Sequence, residues 1–162
     1  MFFLFKNSYY KDVWGNVIHE KHLQDSNICF YCDRIISQGL TNGGYAIEDG
    51  RHICSLCESE SILSIHEIEE SRKFVLSELD KSGFKNLPNN IKIITVDHKK
   101  LLLYSGNLLP GTIVLPKIKG YTKSLDNDFA IYIVNHTPKI EFEAILAHEY
   151  LHVWQIINNI NL

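Results

Sequence analysis

The chain has 162 residues, 45% of them hydrophobic, which is enough to bury a real core and excludes a disordered polypeptide. Its net charge of −3, with sixteen Lys and Arg scattered along the sequence, offers no basic field to phosphates and argues against nucleic acid as a partner. The opening MFFLFK is apolar but too short for a signal-peptide core or a membrane span, so a soluble, cytoplasmic protein is expected.

Residues 1–27 set Phe2, Phe3, Phe5, Tyr9, Tyr10 and Trp14 among polar neighbours, which suggests one or two strands or a packed arm. Within them, His19-Glu20-Lys21-His22 reads as a solvated turn. Residues 28–60 hold the only four cysteines, Cys29, Cys32, Cys54 and Cys57, as two Cys-x-x-Cys pairs with 21 residues between the inner two. Between the pairs, GGYAIEDGRHIC shows short alternating runs about Asp49-Gly50, the signal of a hairpin.

Zinc takes four tetrahedral thiolate or imidazole ligands, and one Cys-x-x-Cys turn delivers two of them from a tight loop. Two turns complete the set, with a knuckle, a hairpin and the start of a helix arranged as in a treble clef. In a reducing compartment this pattern favours structural zinc over disulfides, and a redox motif needs only one pair. A closed four-ligand site has no open position for substrate, so its expected role is to hold a module together. His52 is the alternative ligand, in place of one cysteine.

Residues 61–162 form the second expected domain. From Glu58 to about Lys81 the period is helical, with Ile62, Ile65, Ile68, Val75, Leu76 and Leu79 on one stripe and Gly83 as the stop. NNIKIITVD (89–97), LLLYS (101–105), TIVLP (112–116) and DFAIYIVN (128–135) read as strands, with a turn at Pro110-Gly111 and the last strand as a possible edge for an extended substrate. Thr137-Pro138 then marks an N-cap and first helical residue. The helix it opens carries Phe142, Ile145, Leu146, Leu151, Trp154 and Ile157.

That last helix contains AHEYLH, residues 147–152. Residues four apart on a helix lie one turn above each other, so His148 and His152 can aim two imidazoles at one metal. Glu149, beside the first, can serve as general base toward water activated by that metal, which also polarises a peptide carbonyl. The competing reading is a pair of surface histidines. His66 and His98 look like ordinary helix-face and strand-end residues, whereas His136, just before the helix, is a candidate substrate or metal contact. Tyr121, Tyr132 and Tyr150 are read as packing residues before any oxyanion role is assigned.

Together these parts resemble the LIM-containing, ubiquitin-activated zinc metallopeptidases that restrict organ and seed growth in plants, and their bacterial relatives. DGRHICSLC (49–57) is similar to the end of that family's LIM-type module, IKIITVD (91–97) follows in the same order, and AILAHEYLHVW (144–154) resembles its peptidase motif. The likeness spans roughly residues 28–157 and is specific only at the two metal motifs. It implies an α+β chain with a LIM-like zinc module and a gluzincin-like peptidase fragment, in which a small twisted sheet packs on the active helix.

It also implies a catalytic zinc on His148 and His152, with Glu149 as the base and a protein or peptide as substrate. In the family the third ligand is a glutamate on a following helix. Here the residues from Val153 to Leu162 include no usual zinc ligand. The third ligand is therefore expected to be missing, through truncation of the chain, or to be replaced by His136. Weak zinc binding and weak or no peptidase activity follow. The alternative function is an inactive zinc-binding module that recruits a protein partner through the four-cysteine unit.

Overall fold

A computed structural model describes residues 8–23, 27–108, 116–125 and 128–160. The chain is a mixed α and β protein with small sheets, and it divides into two compact units, Met1–Glu60 and Ser61–Leu162. None of the described helices is long and apolar enough to cross a membrane.

In the first unit, β1 (Tyr9–Lys11) and β2 (Val17–His19) form an antiparallel ribbon that leads into the single-turn helix α1 (Glu20–Leu23). The buried Asp12 carboxylate fixes the turn between the strands by accepting the N–H groups of Trp14 and Asn16 at 3.0 and 2.8 Å. His19 therefore ends a strand and Glu20 to His22 lie on a helix, although those three side chains are solvated as expected.

Helix α2 (Gln38–Thr41) is capped by Ser37, whose hydroxyl accepts the Leu40 N–H. The strands β3 (Gly44–Ala46) and β4 (His52–Cys54) form the hairpin read from the sequence, turning at Asp49 and at Gly50, whose φ of +89° suits glycine. A buried ion pair spans this turn: Arg51 contacts Asp49 at 2.8 Å and also donates to the Tyr31 hydroxyl at 2.6 Å. Helix α3 (Ser55–Ser59) follows directly.

In the second unit, the helix expected from Glu58 is not continuous; α4 spans Ile65–Lys81. Ser61 forms an isolated antiparallel bridge with Pro138, and Ile62 donates its N–H to the Thr137 carbonyl, so these residues are extended. Ser64 then restarts the helix through a complete capping box with Glu67. Ile62 is still buried, but Ile65 is 81% exposed and leaves the apolar stripe assigned to it.

Strand β5 (Lys92–Val96) is followed by α5 (His98–Tyr104), so LLLYS lies largely on a helix and not on a strand. The Asp97 carboxylate caps it by accepting the Lys100 N–H at 2.8 Å, and a run of three leucines has no period of its own to resist the cap. His98 accordingly opens a helix, is buried, and has its Nε2 3.0 Å from the Pro116 carbonyl oxygen. The Pro110-Gly111 turn and nearly all of TIVLP lie outside the described residues.

The sheet of this unit has the order β5-β7-β6, where β6 is Gly120–Leu125 and β7 is Asp128–Val134. Strand β7 pairs parallel with β5 and antiparallel with β6. The strand expected at the edge is thus central, which suits its apolar sequence: Ile131, Ile133 and Val134 are fully buried. Among the described residues the edges are β5 and β6, the latter a polar stretch with no strong strand signal in its sequence.

Helix α6 (Lys139–Ile157) packs across the sheet and α4. The N-cap is Pro138, one residue later than the expected Thr137. Phe142, Leu146, Tyr150 and Val153 form its buried stripe against Val75, Leu79, Ile131 and Ile133. Each such side chain contributes on the order of 1.5–3 kcal/mol by leaving water, which fixes the rotation of α6 about its axis.

Candidate functional site

The four sulfurs of the first unit lie within 4.8 Å of one another, and Cys32 Sγ is 3.7 Å from Cys54 Sγ. Sulfurs on a tetrahedral zinc with bonds of about 2.3 Å stand about 3.8 Å apart, so the set fits that ion. Cys29 and Cys32 come from a knuckle closed by the Asp33 N–H donating to the Cys29 carbonyl, with Asp33 at a φ of +56°. Cys54 ends β4 and Cys57 sits in the first turn of α3. The backbone N–H of Cys54 points at Cys29 Sγ and that of Cys57 at Cys54 Sγ, both at 3.4 Å. His52 is not in the cluster.

Charge in the cluster is unevenly held. The Cys57 thiol donates to Cys29, and with help from backbone N–H groups this brings the Cys29 thiol down to about 4 against the opposing effect of burial. The same contact pushes the Cys57 thiol strongly up, and burial pushes Cys54 up to about 11. A dication held among the four sulfurs would favour the thiolate form of each ligand. Trp14 braces the knuckle, donating its indole N–H to the Cys32 carbonyl at 2.7 Å while the Arg34 guanidinium stacks 3.7 Å from its ring centre.

In the second unit, α6 brings His148 and His152 together with their Nε2 atoms 3.0 Å apart. Two imidazole nitrogens on one tetrahedral zinc stand about 3.3 Å apart, so the pair also fits a shared ion. His148 is exposed and His152 half-buried, whereas Glu149 is 5% exposed. Glu149 is held from β6: Thr122 donates its hydroxyl to Glu149 Oε2 at 2.7 Å. All three α6 residues line a cavity of about 510 Å³ with Gly120, Tyr121, Thr122 and Gln155.

Gly120 makes that closeness possible. A Cβ at this position would lie 2.5 Å from Glu149 Oε1 and 2.6 Å from Ile145 Cγ2. Gly120→Ala is expected to force β6 or the Glu149 side chain aside and to cost about 1–3 kcal/mol, read as a lowered melting temperature of the second unit. An unchanged melting temperature would show that the contact yields without strain.

No family model, curated protein or solved structure matches the chain.

Among the described residues, the four cysteines are the only group of three or more His, Cys, Asp or Glu placed to hold a metal. His136 does not join His148 and His152. It occupies a turn at a φ of +59°, with its carbonyl accepting the Ser61 hydroxyl. Of the three tyrosines considered for oxyanion stabilisation, Tyr121 lines the cavity. Tyr132 packs between Tyr104 and Tyr121, and the Tyr150 hydroxyl is buried with no partner among the described residues. Gly120, Thr122 and Gln155 were not legible as site residues: the Thr122 contact spans 27 positions to Glu149, and no short motif encodes it.

Proposed function

We propose that the second unit carries a zinc-dependent peptide-hydrolysing site of low turnover, with a structural zinc on Cys29, Cys32, Cys54 and Cys57 in the first unit. The observation that carries this reading is the convergence of His148 Nε2 and His152 Nε2 beside a buried, tethered carboxylate, next to a sheet edge. The resemblance to LIM-containing metallopeptidases supports it through motif residues, without a whole-chain match.

When bound, zinc supplies a Lewis acid that makes water more acidic and polarises a carbonyl. His148 and His152 would hold it. Glu149 takes a proton from the attacking water and returns it to the leaving amine, and Thr122 fixes one carboxylate oxygen so that the other is left for that exchange.

Strand β6 offers the substrate a place to lie. The Val134 N–H donates to the Lys119 carbonyl, and the antiparallel register pairs Gly120 with Ile133 and Thr122 with Ile131. Alternation of the ladder then turns the backbone groups of Gly120 and Thr122 away from β7, toward the edge above Glu149. An extended peptide can add there as a further strand. Among the described residues no third His, Cys, Asp or Glu joins His148 and His152, and two imidazoles alone bind zinc weakly, which is the reason for expecting low turnover.

The same shortage of ligands favours a second reading, an inactive chain whose four-cysteine unit recruits a protein partner. The test is to incubate the protein with excess zinc and a fluorogenic unstructured peptide and to follow cleavage. Zinc-dependent cleavage supports the first reading; none at saturating zinc supports the second.

A further inference from the structure

His148, His152 and Gln155 stand at i, i+4 and i+7 along α6, on the face that lines the larger cavity. An imidazole nitrogen binds a metal only through an unprotonated lone pair, and the hydrogen bond made by its other nitrogen decides which one that is. His152 Nδ1 lies 3.2 Å from Gln155 Oε1, while its Nε2 faces His148 Nε2 at 3.0 Å. A carboxamide oxygen only accepts, so Nδ1 must be the protonated nitrogen and Nε2 presents its lone pair toward His148. The other tautomer would set two lone pairs against each other at Gln155. Among the described residues Gln155 is the only partner of His152 Nδ1, and His148 Nδ1 has none.

We propose that Gln155 is a positioning residue for the metal pair: it fixes the tautomer and ring orientation of His152 so that Nε2 is the ligating atom. This rests on the reading of His148 and His152 as metal ligands. The contact lies within one helix, three residues apart, so α6 alone brings the two side chains within reach of each other.

The experiment uses the full chain with one equivalent of zinc in place, and titrates further zinc against a chromophoric chelator. Wild type is compared with Gln155→Leu, Gln155→Glu and His148→Ala, with circular dichroism to show that each variant is folded. Gln155→Leu is expected to weaken the second zinc by about 10- to 100-fold, while Gln155→Glu, which keeps an acceptor, binds at least as tightly as wild type. Equal affinity in wild type and Gln155→Leu, or a loss in Gln155→Glu as large as that in Gln155→Leu, overturns the role of Gln155 and leaves the metal pair standing. A second zinc that is bound by no variant, or bound equally by His148→Ala, overturns the metal pair and the role of Gln155 with it.

Discussion

Replacing Cys54 with serine is expected to unfold the first unit, the largest loss of stability that any single side chain in it can cause. Cys54 is fully buried, receives the Cys57 N–H, and stands 3.7 Å from Cys32, so it serves the metal set and the cap of α3 together. The apolar core around it is small, chiefly Phe30, Tyr31 and Ile53. A module of this size is expected to depend on a metal, and binding of structural zinc is worth an apparent ~10–16 kcal/mol. Serine is a poor zinc ligand and leaves three thiols crowded without a counter-ion. Amide NMR spectra are expected to lose dispersion for residues such as Thr41 and Ile53 while those of β7 and α6 persist. Strong chelation of the wild type should do the same, and dispersed signals under both conditions would mean that the unit holds together without metal.

Glu149→Gln is expected to lower zinc-dependent peptide cleavage by about 100- to 10,000-fold, the usual scale for losing a general base. The glutamine keeps the shape of the side chain, and its carboxamide oxygen can still accept the Thr122 hydroxyl, so the buried site is preserved. What it lacks is the ability to take a proton. Zinc affinity should stay near that of wild type because His148 and His152 are untouched. Cleavage that survives the substitution would remove Glu149 from the chemistry, whichever residues hold the metal.

The parts of the fold that could be read from the sequence are those whose signals are local. The β3–β4 hairpin has its Asp-Gly turn, and β5 and β7 have runs of β-branched residues. Helix α6 has a period long enough to be unambiguous. Where the signal was apolar but without period, as in Leu101 to Leu103, a single capping aspartate decided for helix. Strand β6 was hidden for the opposite reason: GYTKSL is polar, and it becomes a strand because β7 offers it a hydrogen-bonding edge. The α4 start was misplaced because Ser61 and Ile62 answer to partners near residue 137, far along the chain.

The site divides in the same way. Both Cys-x-x-Cys pairs and the His148, Glu149, His152 set are visible because one turn or one helix places each group. Thr122 and Gly120 act on Glu149 across the space between β6 and α6, and only their backbone positions reveal it. Gln155 is visible as a residue on the same helix, but its contact with His152 Nδ1 depends on a side-chain direction that spacing alone does not give.

Metal content measured per chain is the most direct test of two separate zinc sites. After incubation with zinc and removal of loosely bound ions at a zinc level sufficient for a weak site, wild type should hold two zinc and His148→Ala one. One zinc in both proteins, or two in both, would contradict the assignment of the second ion to the histidine pair on α6.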